Sequence, residues 1–182
     1  MPRIREIATE DLPPQIVDPT WEKVAGHCPE QLIQLDALMR SFSEHSTMPR
    51  RYIEIAIVTV SRINECRHCV GRHSTHLYDT GLGHETIERI LDVAGPDLDE
   101  TDSLVRDYAI AVTESSGSIR DAMFERLRTR FNEAQIVELT MRIGLATFFN
   151  RFNNALQIDL DNAHLEKFQA QDGSAESLPN PR

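Results

Sequence analysis

The chain has 182 residues and a formal net charge of −10. The length suits one domain, and the charge argues against nucleic acid or an anionic membrane surface as partner, because both need a basic patch. With 40% hydrophobic but only 6% aromatic residues, the core must be mainly aliphatic.

The chain opens Met1-Pro2-Arg3-Ile4-Arg5-Glu6, without the apolar run of a signal peptide. The longest strongly apolar stretch, Ile55-Ala56-Ile57-Val58-Thr59-Val60, is far too short to span a bilayer. The expected compartment is the cytoplasm. Residues 1–20 carry four prolines and read as an extended arm; residues 21–168 form the folded domain; residues 169–182 read as a flexible polar tail.

Between arm and tail the periodicity is helical. Pro29 can open a helix with Leu32, Leu35, Leu38 and Met39 on one side. Cys28, just before it, reads as a small buried residue at a helix edge. Residues 50–64 place Ile53, Ala56, Ile57, Val60 and Ile63 on one face, and no nearby run could pair with them as a strand. A helix from about Cys66 to Thr80 ends at Gly81, a natural left-handed cap. A short helix follows from Gly83 through Val93, and Gly95-Pro96 breaks the chain. Asp99 to Asp102 can cap a helix burying Leu104, Val105, Tyr108, Ala109 and Val112. An amphipathic helix over Ala122–Phe131 and a last helix over Glu133–Ile158, capped by Asn132, complete the pattern. With no convincing strand, the class is all-α.

Chemistry concentrates at Cys66-Arg67-His68-Cys69, followed by His73. Only three cysteines occur in the chain. A close pair can cycle between dithiol and disulfide, or hold a metal. On a helix, Cys66, Cys69, His73 and His76 fall within an arc of roughly 80°, and Cys69 and His73 are i, i+4 neighbours. The helix N-terminus favours thiolate. His68 points elsewhere on that wheel and could reach the site only from a neighbouring helix or subunit. Glu54 stands among apolar residues. Either it pairs with Arg50 or Arg51 at a helix edge, or burial raises its pKa toward that of a general base. Trp21 and Tyr108 read as packing residues that could line a pocket. One echo is visible: Glu54 is followed at +12, +15 and +19 by Cys66, Cys69 and His73, and Glu138 at the same offsets by Asn150, Asn153 and Gln157. A duplicated helix pair is one origin for this, and coincidence another.

The run from Arg51-Tyr52-Ile53-Glu54 through Cys66-Arg67-His68-Cys69 to His73 resembles the alkylhydroperoxidase D-like branch of the carboxymuconolactone decarboxylase family, whose pattern E-x11-C-x-H-C-x3-H is filled at every position. The similarity spans roughly residues 20–165, with the Gly81-Leu82-Gly83 turn and the Asn150-Arg151-Phe152-Asn153 segment. It implies an all-α trimer or hexamer and a thiol-dependent peroxidase or disulfide reductase needing no metal or other cofactor. By the same resemblance Cys69 is the attacking thiolate, Cys66 the resolving thiol, and Glu54, His68 and His73 the proton relay. The implied partners are a hydroperoxide and a dithiol or protein reductant. Two other readings stand beside it: a carboxymuconolactone decarboxylase-type enzyme on a small carboxylic acid or lactone, and a zinc module with Cys66, Cys69, His73 and His76 as ligands. Four ligands on one helical stripe poorly surround a tetrahedral ion.

Overall fold

Three helices, α3 (Arg50–Ile63), α6 (Glu100–Ser115) and α8 (Glu133–Leu156), pack around the main core of a computed structural model that describes residues 2–17, 19–92, 97–172 and 178–179. In chain order the remaining helices are α1 (Glu22–Ala25), α2 (Pro29–His45), α4 (Arg67–Tyr78), α5 (His84–Glu88), α7 (Asp121–Arg128) and α9 (Asn162–Asp172). The described residues contain no strand, as an all-α chain requires. None of these helices is long and apolar enough to cross a membrane.

The core is aliphatic, as the composition demands. Every residue of α3 from Ile53 to Ser61 is buried, and α8 adds Ile136, Leu139 and Ile143. Each fully buried Ile or Val there stabilises the fold by roughly 1.5–3 kcal/mol. The cap signals act as the sequence leads one to expect. Asp99 and Asp102 form a reciprocal capping box on α6, Asn132 and Gln135 another on α8, and Gly81 adopts φ +88°.

Arg51 ties α3 to its neighbours. Its Nε donates to both carboxylate oxygens of the fully buried Asp102, at 2.9 and 3.2 Å, and Nη1 donates to the Thr80 carbonyl at 3.0 Å. One guanidinium thus fixes the start of α3 against the start of α6 and the end of α4.

Several expectations change. The Val93 end of α5 and the Gly95-Pro96 break lie outside the described residues. Beyond α8 a further helix, α9, runs across the expected boundary at 168, and Leu178 is buried with Val70, Leu160 and Phe168. The arm is packed rather than free: Leu12 and Ile16 cluster with Leu32, and the Ile7 N–H donates to the Lys23 carbonyl. On α2 only Leu32 is buried, while Leu38 is exposed. Cys28 is exposed, because it occupies the N-cap of α2 outside the helix's packed face.

Candidate active site

The site is the corner between α3 and α4. After Ile63 the chain turns through Asn64 and Glu65, and Glu65 takes a left-handed φ of 52°, uncommon for a residue with a Cβ. That turn brings Cys66 to the N-cap of α4, where its Sγ accepts a hydrogen bond from the Cys69 N–H at 3.3 Å. Cys66 and Cys69 form a disulfide, with Cα atoms 5.3 Å apart. Both are buried, but only Cys69 lies on the wall of a cavity of about 680 Å³. Glu54, His68, His73 and His76 share that wall.

His73 receives its orientation from Glu54. Its Nδ1 is 2.8 Å from Glu54 Oε2, and the partner is a carboxylate, so Nδ1 carries the proton and donates. The second oxygen of Glu54 lies 3.6 Å from Arg50 Nε. The expectation of a raised Glu54 pKa is corrected here. Burial pushes the carboxyl up, but His73, His76 and Arg50 pull it further down, and the net shift is below the ordinary value. Glu54 is therefore a charged anchor and not a base poised near neutrality. Arg51, the other partner considered for it, is committed to Asp102.

His68 also departs from its expected place. It stands about 100° from Cys69 on α4, yet the cavity lining extends over both positions. His68 is buried on the same cavity, within the same chain. Its Nδ1 donates to the Asp159 carbonyl at 3.1 Å, leaving Nε2 as the acceptor. Burial pushes its pKa down to about 4, so the ring is neutral at pH 7. His76 is held down to about 4 by the same cause, and its ring centroid is 6.0 Å from that of His73.

Two side chains of α8 complete the site. Asn153 donates from Nδ2 to Cys69 Sγ at 3.4 Å, and Asn150 donates to Ser61 Oγ while accepting from Asn64 Nδ2, both at 3.1 Å. A sulfur holding an N–H donor is stabilised as thiolate once the disulfide opens. Sequence reasoning noted these asparagines in an echo and in the Asn150-Arg151-Phe152-Asn153 segment of the resemblance, without a role at the site. Their signal was two amides three apart in a largely apolar helix, which mark a buried polar contact. Gly71 admits a close approach from behind: a methyl group there would collide with Leu160, next to the Asp159 that holds His68.

Another part of the wall is apolar. Trp21, Met39, Phe42, Leu145 and Phe149 line it together, and the Trp21 and Phe149 rings meet edge to face at 4.8 Å. Tyr108 is instead a core residue, its hydroxyl bonded to Thr140. Among the described residues no group of three or more His, Cys, Asp or Glu side chains is arranged to hold a metal ion, and His73 turns to Glu54 rather than to the sulfurs.

Residues 30–105 match the carboxymuconolactone decarboxylase family. Among solved structures, the chain is similar to a peroxidase-related protein with an alkylhydroperoxidase core from Ralstonia eutropha JMP134, at 18% identity and a TM-score of 0.72, over 81% of this chain and 78% of that one. It is also similar to a protein of unknown function from Agrobacterium tumefaciens, proposed for antioxidant defence, at 26% identity and a TM-score of 0.69, over 79% of this chain and 99% of that one. The debrominase Bmp8 bound to 2,3,4-tribromopyrrole shares the fold at 16% identity and a TM-score of 0.67, over 81% and 79% of the two chains. No curated protein matches.

Proposed function

For a chain that belongs to the alkylhydroperoxidase D-like branch of the carboxymuconolactone decarboxylase family, we propose a thiol-dependent peroxidase that reduces hydroperoxides and is itself reduced by a dithiol. The observation that carries this reading is the convergence of Cys69, His73, Glu54 and His68 on one cavity, with Cys66 bonded to Cys69 just behind the wall. Fold alone would not choose the chemistry, since a debrominase shares it.

In the reduced protein, Cys69 attacks the outer oxygen of the hydroperoxide. A sulfur–oxygen bond forms, the O–O bond breaks, and the leaving alkoxide takes a proton and departs as an alcohol. His73 supplies that proton from Nε2, while Glu54 holds Nδ1 and stabilises the imidazolium. The Cys66 thiol then attacks the sulfenic sulfur. Water leaves and the disulfide forms, so Cys69 escapes further oxidation. Neutral His68, with Nε2 free to accept, takes the proton of the Cys66 thiol and passes it to the hydroxide that leaves the sulfenic sulfur as water. A dithiol co-substrate reopens the bond and leaves as its own disulfide. Asn153 and the first turn of α4 favour the thiolate throughout.

The reading extends to a cytoplasmic homotrimer or homohexamer. Val137, Met141 and Phe148 are exposed along one stripe of α8 and offer apolar surface for copies to cover.

The direct test uses pre-reduced protein and hydroperoxide in a single turnover. Wild type is expected to consume peroxide and lose two thiols, and Cys69→Ser to fall to background. Wild-type consumption no faster than a free thiol, or a Cys69→Ser variant that matches wild type, sinks the reading. Oxidation of the pre-reduced protein by small disulfide compounds, which leave as dithiols, but never by peroxide replaces it with a disulfide reductase.

A further inference from the structure

The cavity is far larger than hydrogen peroxide requires, and three turns of α8 contribute to its lining. Arg142, Ala146, Phe149 and Asn153 recur at i, i+4, i+7 and i+11 and all line it. Asn153 touches the Cys69 sulfur. Arg142, eleven residues earlier on the same face, sits about 16 Å away along the helix axis. The lining therefore spans about 16 Å of α8, from Asn153 beside the thiol to the backbone of Arg142, with apolar side chains between them.

Arg142 keeps hydrogen-bonding capacity that its protein partners leave unused. Its side chain is 12% exposed, which is costly for a guanidinium without full hydrogen bonding. The nearest carboxylate oxygen, of Glu138, is 3.7 Å from Nε, an ion pair too long for a hydrogen bond. Nε is buried without a hydrogen bond, and the guanidinium lies 4.4 Å over the Phe42 ring. Burial lowers the Arg142 pKa, against the attraction of Glu138 and Glu54. The acidic residues on the wall are already engaged. Glu54 is held by His73 and Glu22 by the Thr20 N–H, while Asp36 is ion-paired with Arg40, its buried Oδ2 without a hydrogen bond. Of the other guanidiniums, Arg72 donates to Thr20 Oγ1, and Arg50 is mostly exposed.

We propose that Arg142 is the anion-binding end of this cavity, and that the substrate is an organic hydroperoxide with an apolar body and a carboxylate at its far end. This rests on the peroxidase reading. A planar carboxylate can take two parallel N–H bonds from one guanidinium. Its apolar body covers Phe42, Leu145 and Phe149, and its peroxide end reaches Cys69.

The experiment compares linoleic acid hydroperoxide with its methyl ester, which differ in the charge alone. Single-turnover oxidation of pre-reduced protein is followed against concentration. Wild type is expected to half-saturate with the acid at a concentration roughly ten- to a hundredfold below that for the ester. R142M, which keeps an apolar stem, should abolish that preference, and R142K should restore part of it. Equal use of acid and ester by wild type overturns the proposal without any variant, and so does a preference that survives R142M. Calorimetric titration with decanoate separates this from the peroxidase reading. Binding to wild type that weakens at least tenfold in R142M supports the anion end, even if no peroxide is consumed; that outcome would fell the peroxidase reading alone. No decanoate binding by wild type, or equal binding by R142M, removes the anion end.

Discussion

The α3–α4 corner and the middle of α8 carry the same spacing and do opposite things with it. Glu54, Cys66, Cys69 and His73 match Glu138, Asn150, Asn153 and Gln157 offset for offset. In the first region the chain breaks at Asn64-Glu65, so the glutamate and the thiols belong to different helices and Glu54 can meet His73 across the corner. In the second region α8 runs unbroken from Glu133 to Leu156, and Glu138 is three turns away from Asn150. The echo is not a repeated helix pair. The two regions complement each other instead, because Asn150 and Asn153 bond the Ser61 and Cys69 of the corner. Equal spacing becomes a site only where the backbone turns.

The comparison can be broken at its anchor. Glu54→Gln keeps the shape but removes the charge that orients His73, and the single-turnover rate with peroxide is expected to fall by about 10²–10⁴-fold. A variant within twofold of wild type would mean that the corner does not work through this pair. His68 tests the corner's burial. With a folded pKa near 4 against 6.5, the unfolded chain binds the extra proton, so stability is full above pH 6.5 and declines as pH falls toward 4, by on the order of 3 kcal/mol. His68→Gln, which can still donate to the Asp159 carbonyl, should flatten denaturant midpoints measured across that window. Glu54 acts at lower pH. Its folded pKa is depressed, so its contribution is present above 4.5 and is lost as pH falls through the folded value. Asn153→Ala then asks what α8 gives the corner. The Cys69 thiol pKa, read from the pH dependence of alkylation, should rise, and the alkylation rate at pH 7 should drop about tenfold. Smallest is Asn132→Ala, which removes the cap of α8 and should cost about 1 kcal/mol in urea unfolding while leaving the rate per folded molecule unchanged.

Much of the frame was legible because its signals are local. Asn132 with Gln135, Asp99 with Asp102, Pro29 and Gly81 act within a turn of where they stand. The site was legible as far as i, i+4 spacing carries, which is Cys69 with His73. It stopped being legible where a side chain depends on the backbone turning unexpectedly. The left-handed Glu65 and the cap role of Cys66 set where α4 begins, and neither residue type announces that conformation. The direction of the Glu54 pKa depended on partners from another helix outweighing burial, a balance that no local window contains. α9 escaped because it packs chiefly through Phe168 against Val70, without a sustained apolar stripe.

One wall of the cavity differs in kind from the rest. α2 spans seventeen residues and buries a single side chain, Leu32, outside the main core. Yet its Met39 and Phe42 line the cavity, Phe42 beneath the Arg142 guanidinium of α8. A segment with so little buried apolar surface opens at a small fraction of the free energy needed to unfold the core. The pocket therefore has a compliant side and a rigid side. Molecules of different girth can be admitted by displacing α2, while Glu54 and His73, fixed on the far wall by the Arg51–Asp102 tie, keep their alignment. Drift in the residues of α2 could then widen or narrow the range of molecules accepted without touching the chemistry.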